Sequence, residues 1–264
     1  MIQVNNTKKF DNMGKLYACH RPAYPQDFID YLCSEIGLCA SSIVADIGSG
    51  TGILTKQLLE SGAKVYAVEP NDDMRLISEQ GLKDYGNFYP VKGTAENTSI
   101  YDKSVDFITA AQAFHWFDAQ KFKTECNRIL KPSGKVILVW NSRDEESPAV
   151  QKSDMINKKY CPNFKGFSGG MRGTEDDTNF SGFFTEGYEK KVFSNNIIYD
   201  KNGFVGRNLS GSYALKEDDE NYLHYVSELD AVFDKYSING QFVMSNYTQS
   251  YVGSVVLSKD MTNV

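Results

Sequence analysis

The chain has 264 residues, and 28 basic against 34 acidic side chains leave a net charge of −6. A protein whose main partner is a nucleic acid neutralises phosphates with Lys and Arg, so this balance argues against that class. The length suits one α/β domain that carries an insertion.

Other residue patterns further restrict the class of protein to which the chain can belong. The five cysteines are odd in number and form no C-x-x-C pair, which predicts reduced thiols. The three histidines lie far apart, so we expect no zinc site. The first ten residues lack the apolar core of a secretory signal, and no apolar run approaches the ~20 residues of a membrane span. We therefore expect a cytoplasmic protein with no membrane contact and no metal.

Strands and helices alternate along the first half of the chain, as a parallel sheet requires. Helices are predicted at residues 27–36, 51–61, 72–80 and 119–130, and strands at residues 43–47, 64–69, 87–91, 105–109 and 134–140. This order predicts the cofactor-binding half of a doubly wound α/β fold.

The pattern changes beyond residue 142. Residues 143–182 are polar and rich in glycine, with one helical stretch at 150–160, which predicts a cap over the substrate. A strand at 188–199, a short helix at 203–209, an amphipathic helix at 217–236 and a long strand at 242–257 follow.

These segments predict a single domain over residues 1–264. Its parts are an amino-terminal cover at 1–40, a cofactor-binding core at 41–142, a cap or lid insertion at 143–186, and carboxyl-terminal strands and a helix at 187–264 that complete the sheet.

The most informative motif is VADIGSGTG at residues 44–52, followed by KVYAVEP at residues 64–70. Gly48, Gly50 and Gly52 allow the backbone to turn sharply between strand and helix, and let a ligand approach the main chain. Glu69 follows the second strand, where one carboxylate can accept hydrogen bonds from two ribose hydroxyls. The motif therefore predicts a cofactor that contains a nucleoside.

Two residues distinguish between cofactors. A dinucleotide motif is G-x-G-x-x-G, whereas Ile53 stands here in place of the last glycine. Asp46 adds a carboxylate before the turn, which would repel phosphates but suit a ligand that carries an ammonium and a sulfonium. These features favour S-adenosylmethionine over NAD.

At these residues the chain resembles the class I S-adenosylmethionine-dependent methyltransferases, in particular the small-molecule group that includes trans-aconitate methyltransferases. The resemblance extends to YACHRPAYP at residues 17–25, GTAEN at 93–97, AQAFHWFD ending at Asp118, and ILKPSGKVILVWN at 129–141. It covers roughly the first half of the chain, so the substrate does not transfer with the fold. It implies a seven-stranded, mostly parallel sheet whose last two strands form an antiparallel hairpin at one edge.

The resemblance also implies contacts with the adenosyl group. Thr94, Ala95 and Glu96 match the loop that addresses the adenine, where Glu96 would accept from the exocyclic amine or be only a loop charge. Met74 lies either on the adenine face or in the core. Pro70, directly after Glu69, and Gln112, after the fourth strand, complete this set of expected contacts.

The amino-terminal segment is expected to fold over the cofactor in the same group. Tyr17 and Arg21 are its candidate contacts, since a guanidinium can bind the cofactor carboxylate through a forked pair of hydrogen bonds. The alternative is that Arg21 and Pro22 only fix an extended stretch, because proline disfavours a helix at the residue before it.

Candidate substrate residues follow the fourth and fifth strands. Trp116, Asn141, Arg143 and, in the glycine-rich loop, Arg172 are expected at the acceptor pocket, where two arginines would favour an anionic substrate. His115 is the candidate catalytic residue, because an imidazole can accept a proton from a hydroxyl or amine acceptor. A carboxylate acceptor needs no base, so a structural role of His115 stays open.

The predicted function is transfer of the S-adenosylmethionine methyl group to a small molecule by in-line displacement. Similarity to the trans-aconitate group favours an oxygen acceptor on an anionic or hydroxyl substrate. Two alternatives stay open, a non-catalytic S-adenosylmethionine-binding module and an NAD-dependent dehydrogenase. We expect a monomer or a homodimer whose only other partner is the substrate.

Overall fold

The main sheet of the protein has seven strands in the order β3-β2-β1-β4-β5-β9-β6. The structure is a computed structural model that describes residues 22–166, 180, 182–211 and 213–255. The strands are β1 (Ile43–Ile47), β2 (Lys64–Val68), β3 (Phe88–Val91), β4 (Val105–Ala111), β5 (Leu130–Arg143), β6 (Tyr188–Ser194), β7 (Ile197–Tyr199), β8 (Phe242–Met244) and β9 (Asn246–Gly253). The first five strands are parallel, and β9 is antiparallel to both β5 and β6.

Seven α-helices lie in the described part of the chain. They are α1 (Gln26–Tyr31), α2 (Ile53–Glu60), α3 (Asp72–Leu82), α4 (Ala119–Ile129), α5 (Pro148–Tyr160), α6 (Lys201–Leu209) and α7 (Tyr222–Tyr236). A π-helical turn over Leu32–Ile36 extends α1, and a 3-10 turn over Phe114–Trp116 follows β4. The side chain of Asn71 caps α3 by accepting from the backbone N–H of Met74 at 3.0 Å.

The central strands are apolar on both faces because helices cover both sides of the sheet. On one face, Val136 and Leu138 of β5 pack in a cluster with Phe122 of α4. On the other face, Ile137 of β5 packs in a cluster with Leu58 of α2. Burying one such side chain fully contributes about 1.5–3 kcal/mol, so this three-layer core is the main source of stability. The predicted fold class, a seven-stranded doubly wound sheet with an antiparallel pair, is confirmed.

The carboxyl-terminal strands differ from the sequence prediction. The strand expected at residues 188–199 is divided into β6 and β7, and the strand expected at 242–257 is divided into β8 and β9. The two breaks lie opposite each other. On one side of them β6 pairs with β9 in the main sheet, and on the other side β7 pairs with β8 in a separate two-stranded sheet. Asn195 and Asn196 lie at one break, and asparagine is disfavoured in strands. The result is one antiparallel ribbon with a bend.

The connection between the two halves of this ribbon is not a tight turn. It contains α6 and α7, which pack with α5 and with the two-stranded sheet around an apolar cluster of their own. We call this the cap cluster, and its buried members are Ala149, Ile156, Cys161, Tyr199, Phe204, Tyr225, Leu229, Val232, Phe233, Phe242 and Met244. The helix expected at 217–236 begins at Tyr222, after four acidic residues that lie on the surface.

No helix in the described ranges is both long and apolar enough to cross a lipid bilayer. The same residues contain no group of three or more His, Cys, Asp or Glu side chains that could hold a metal ion.

Candidate functional site

A glycine turn joins β1 to α2 at the carboxyl edge of the sheet. Its three glycines have positive φ angles, 68° at Gly48, 58° at Gly50 and 86° at Gly52. A Cβ atom at Gly48 would lie 2.7 Å from the Cβ of Ala113, which is closer than packed atoms approach each other. At Gly50 the nearest atom to such a Cβ would be the Met74 sulfur at 3.8 Å, an ordinary van der Waals distance, so no other atom crowds the backbone here. A ligand can therefore approach the main chain at Gly50.

Glu69 lies directly after β2 and faces this turn. Its two carboxylate oxygens accept backbone hydrogen bonds, from the N–H of Gly50 at 2.9 Å and from the N–H of Asn71 at 2.8 Å. Burial raises the pKa of the carboxyl, and the two backbone donors oppose that effect. A carboxylate can accept about four hydrogen bonds, so lone pairs on both oxygens stay available for hydroxyl donors.

Asp46 is held in place by side-chain hydrogen bonds to two neighbouring elements. It is buried in β1, and its carboxylate accepts hydrogen bonds from the Thr55 hydroxyl at 2.6 Å and from the Thr109 hydroxyl at 2.7 Å. Burial raises its pKa. The carboxylate therefore joins β1 to α2 and β4, directly below the glycine turn.

The loop after β3 is fixed to α4 by a buried carboxylate. Glu125 accepts from both the backbone N–H and the hydroxyl of Thr98, at 2.8 and 2.6 Å, and it pairs with Arg128. In the same loop, Glu96 accepts from the backbone N–H of Asp118 at 3.0 Å. The loop that carries residues 94–96 thus has a defined position relative to the glycine turn. Sequence reasoning missed Glu125, although a charged residue within the apolar stripe of a helix is a usable signal.

The segment after β4 bends sharply at Gln112. This residue has a φ of 54°, which is uncommon outside glycine and indicates a backbone held by its surroundings. Its backbone N–H donates to Val139 O at 2.9 Å, and its side-chain amide donates to Asn141 O at 2.8 Å. The 3-10 turn that follows presents Trp116 and buries Phe114 among aromatic rings.

These loops enclose a cleft at the carboxyl ends of β1, β2 and β4, which we call the cofactor cleft. It is lined by Gly48, Gly50, Glu69, Pro70, Asn71, Met74, Thr94, Ala95, Glu96, Ala111, Gln112, Ala113, Trp116 and Phe117. Open α/β sheets bind their ligands at this edge. Ten of these residues are predicted from the sequence as cofactor or substrate contacts. Asn71, Ala111, Ala113 and Phe117 are additions that only the fold reveals.

Other predicted site residues lie elsewhere. Gly52, Asp46, His115, Asn141 and Arg143 are described but do not line the cofactor cleft. The ring of His115 packs on that of Trp116, with centroids 4.7 Å apart. Tyr17, Arg21 and Arg172 lie outside the described residues.

A model of the methyltransferase domain family matches residues 45–138, the segment that carries the glycine turn, Glu69 and the loops around the cleft. Residues 45–138 are a methyltransferase domain. The family of this domain implies S-adenosylmethionine as the cofactor, as the sequence motif predicts, and it gives no support to a dinucleotide.

Curated relatives match this methyltransferase domain and part of its surroundings. An uncharacterized methyltransferase of Mycobacterium bovis is 40% identical over 129 residues, which cover 49% of this chain and 50% of the relative. An uncharacterized methyltransferase-like protein of Schizosaccharomyces pombe is 33% identical over 161 residues, covering 61% and 62%. The chain therefore spans about half to three fifths of the length of these relatives.

Solved structures share the methyltransferase fold over most of the chain. A protein of Anaeromyxobacter dehalogenans, provisionally named a type II methyltransferase, has a TM-score of 0.61 at 20% identity and covers 89% of this chain and 98% of its own. A phosphoethanolamine N-methyltransferase of Haemonchus contortus has a TM-score of 0.57 at 12% identity, covering 97% and 61%. At these identities the likeness concerns the class I fold alone.

Arg143 lies at the junction between the methyltransferase sheet and the cap cluster. It is the last residue of β5 and is buried, and its guanidinium donates to the Asn208 side chain of α6 at 3.3 Å. Tyr225 of α7 is close as well. Burial raises the pKa of that phenol well above its usual value, and the Arg143 charge acts in the opposite direction. The arrangement brings a buried cation beneath helices that belong to the cap.

Proposed function

We propose that this chain transfers the methyl group of S-adenosylmethionine to a small-molecule acceptor. The observation that carries the proposal is the Glu69 carboxylate, oriented by the Gly50 and Asn71 backbone at the edge of a cleft. Its remaining lone pairs suit the two hydroxyls of a ribose. The family of residues 45–138 supports the same cofactor.

The residues of the cleft fit an adenosyl group. Glu69 supplies acceptors, Gly50 offers bare backbone, and Met74 and Trp116 provide apolar surface for a flat ring. We assign roles in cofactor binding to Tyr17, Arg21, Asp46, Gly48, Gly50, Gly52, Glu69, Pro70, Met74, Thr94, Ala95, Glu96 and Gln112. Of these, Asp46 and Gly52 would act from beneath the turn rather than by touching the ligand.

When bound, S-adenosylmethionine supplies an electrophilic methyl group on a sulfonium, which suits in-line displacement by an acceptor. The protein's part in such a step is to hold the two reactants in line and to exclude water. Trp116 and Phe117 give the cleft an aromatic wall, which can do both.

The favoured acceptor is an oxygen of an anionic or hydroxyl substrate. The anion is favoured because Arg143 and Arg172 would together bring two cations to the acceptor pocket, and a guanidinium binds a carboxylate through paired hydrogen bonds. We propose that Trp116, Asn141, Arg143 and Arg172 contribute to the acceptor pocket, directly or by supporting it. His115 is the candidate base for a hydroxyl acceptor, whereas a carboxylate would need none.

The parts of the chain follow from this function. We propose that residues 1–40 cover the cofactor and that 41–142 bind it. The cap proposed at 143–186 extends to the cap-cluster residues at 199–244, so within 187–264 it is β6 and β9 that complete the sheet. We propose a cytoplasmic monomer or homodimer, and the acidic charge balance supports the absence of nucleic acid among its partners.

Two experiments test the proposal. Calorimetry with S-adenosylmethionine, S-adenosylhomocysteine and NAD should detect binding of the first two only. Incubation with methyl-labelled S-adenosylmethionine and a metabolite extract should then yield a labelled small molecule. Binding without any labelled product would favour the non-catalytic binding module, and binding of NAD alone would refute the proposal.

A further inference from the structure

Residues 22–25 form an extended stretch before α1, and side-chain amides hold its backbone. Gln57 of α2 makes two hydrogen bonds to Tyr24. Its Nε2 donates to Tyr24 O at 2.7 Å, and its Oε1 accepts from Tyr24 N at 3.1 Å. These two hydrogen bonds take the place of the backbone hydrogen bonds that a neighbouring strand would provide, because backbone polar groups outside regular structure need other partners.

Two further amides hold the preceding carbonyls. Asn141, near the end of β5, donates from Nδ2 to Pro22 O at 3.4 Å and to Ala23 O at 3.3 Å. Asn195, directly after β6, donates to Ala23 O at 3.1 Å. Three successive carbonyls are therefore held by amides from three separate elements. We call Gln57, Asn141 and Asn195 the amide clamp.

The side chain of Asn141 has no hydrogen-bonding capacity left over. Its Oδ1 accepts from the Thr248 hydroxyl at 2.5 Å and from Asn195 Nδ2 at 3.1 Å, while its Nδ2 serves the two carbonyls. A primary amide has two donors and two acceptor lone pairs, so all four positions are used. Asn141 and Thr248 are buried, and a fully satisfied polar network in a buried site is rigid.

The clamp is connected to the cofactor cleft through one residue. The main-chain carbonyl of Asn141 accepts from the Gln112 side chain at 2.8 Å, and Gln112 lines the cleft with its backbone in the left-handed region. The end of β5 therefore bonds the cleft wall on one side and residues 22–23 on the other.

We propose that the amide clamp is a positioning device that fixes residues 22–24 beside the cofactor cleft and so sets the affinity for the cofactor. Molecules in which residues 22–24 have left the clamp lose the support of the cleft wall and bind weakly. The apparent dissociation constant then equals the intrinsic one divided by the fraction of molecules that are held in the clamp. This inference rests on the proposed function, because it concerns the affinity for S-adenosyl compounds.

The test measures S-adenosylhomocysteine binding by calorimetry for the wild type, Gln57→Ala, Asn195→Ala and the double variant. We expect each single variant to bind about three- to tenfold more weakly, and the double variant to bind more weakly than either. Hydrogen exchange at the Tyr24 amide provides a local readout. Exchange should be faster in Gln57→Ala, and bound ligand should slow it in the wild type.

Asn87→Ala is the matched control. Asn87 also holds backbone carbonyls with its side-chain amide, donating to Ala63 O at 2.7 Å and to Gly62 O at 3.4 Å, but at the amino ends of β2 and β3. This variant should lower the melting temperature about as much as Asn195→Ala and keep its affinity within twofold. Gln57 lies on a surface helix, where alanine is well tolerated, so we expect Gln57→Ala to fold. If Asn195→Ala does not fold, Gln57→Ala alone tests the proposal.

The outcomes separate the two proposals. If the wild type binds S-adenosylhomocysteine and the folded clamp variants bind it equally well, the clamp is wrong and the proposed function stands. The clamp is also wrong if Asn87→Ala weakens binding as much as the clamp variants do. If the wild type binds no S-adenosyl compound, the proposed function is wrong and the clamp proposal falls with it.

Discussion

Replacing Glu69 by glutamine tests the central contact of the proposed cofactor site. The substitution keeps the size of the side chain but removes its charge, and an amide can accept with only one of its two terminal atoms. Hydrogen bonds to a charged group contribute about 1.5–3 kcal/mol, against about 0.5–1.5 kcal/mol for neutral pairs. The hydrogen bonds from the two ribose hydroxyls would therefore lose about 2 kcal/mol of binding free energy in total. This corresponds to a roughly 30-fold larger dissociation constant.

Calorimetry with S-adenosylhomocysteine measures this change directly. Adenosine should lose affinity by the same factor, because the ribose is common to both ligands. Asp72→Asn is the matched control, since Asp72 is an exposed acid nearby that pairs with Arg75 and Lys92 and does not line the cleft. Its affinity should stay within twofold of the wild type. A folded Glu69→Gln protein that binds within threefold of the wild type would refute the assignment.

The same contact predicts a pH dependence. Burial raises the Glu69 pKa above its usual value, so the folded protein protonates this group at a higher pH than an exposed glutamate. Ribose hydroxyls donate to the charged form, so affinity should be lost as the pH falls through that raised pKa. The Glu69→Gln protein should not show this loss, and an identical profile in both proteins would contradict the interpretation.

Three further predictions concern stability and turnover. Gly48→Ala should destabilise the fold by about 1–3 kcal/mol and lower the melting temperature, whereas Gly86→Ala, with open space around it, should not. Burial raises the Glu125 pKa, but bonds from Arg128 and Thr98 outweigh it and lower the pKa overall. The ionised Glu125 carboxylate therefore stabilises the fold, and this contribution to the free energy of unfolding should be lost as the pH falls through the lowered pKa. Denaturant titrations at several pH values should show this loss in the wild type but not in Glu125→Gln. Arg143→Met should bind S-adenosylhomocysteine normally but label no anionic product from extract, and equal labelling would contradict its role.

The sequence predicts the amino-terminal half of the fold closely, because its strands are short apolar runs separated by clear helix signals. β1 has the predicted bounds, and α3 begins at the predicted residue, Asp72. The carboxyl-terminal strands were harder, because residues 188–199 alternate like one strand. Which sheet each half joins depends on pairing with residues 242–253, and such distant pairing leaves no local signal.

The residues of the candidate site are likewise predictable from the sequence only in part. Glu69 and the glycine turn are recognisable because local backbone geometry demands those residue types. The environment of Asp46 was not predictable, since its partners Thr55 and Thr109 are ordinary residues in a helix and a neighbouring strand. The amide clamp was equally hidden, because isolated asparagine and glutamine residues become informative only when the fold brings them to one backbone segment.

Under the proposed function, the cap cluster allows the acceptor pocket to differ between proteins that share this sheet. Its buried residues come from residues 149–161 and from residues 199–244, and they form a core distinct from the two clusters on the faces of the main sheet. Substitutions inside it change the packing of the cap while leaving the glycine turn and Glu69 supported by β1, β2 and β4. The methyltransferase domain at residues 45–138 can therefore be recognised without the cap, and Arg143, the proposed acceptor contact, lies at the junction between the two.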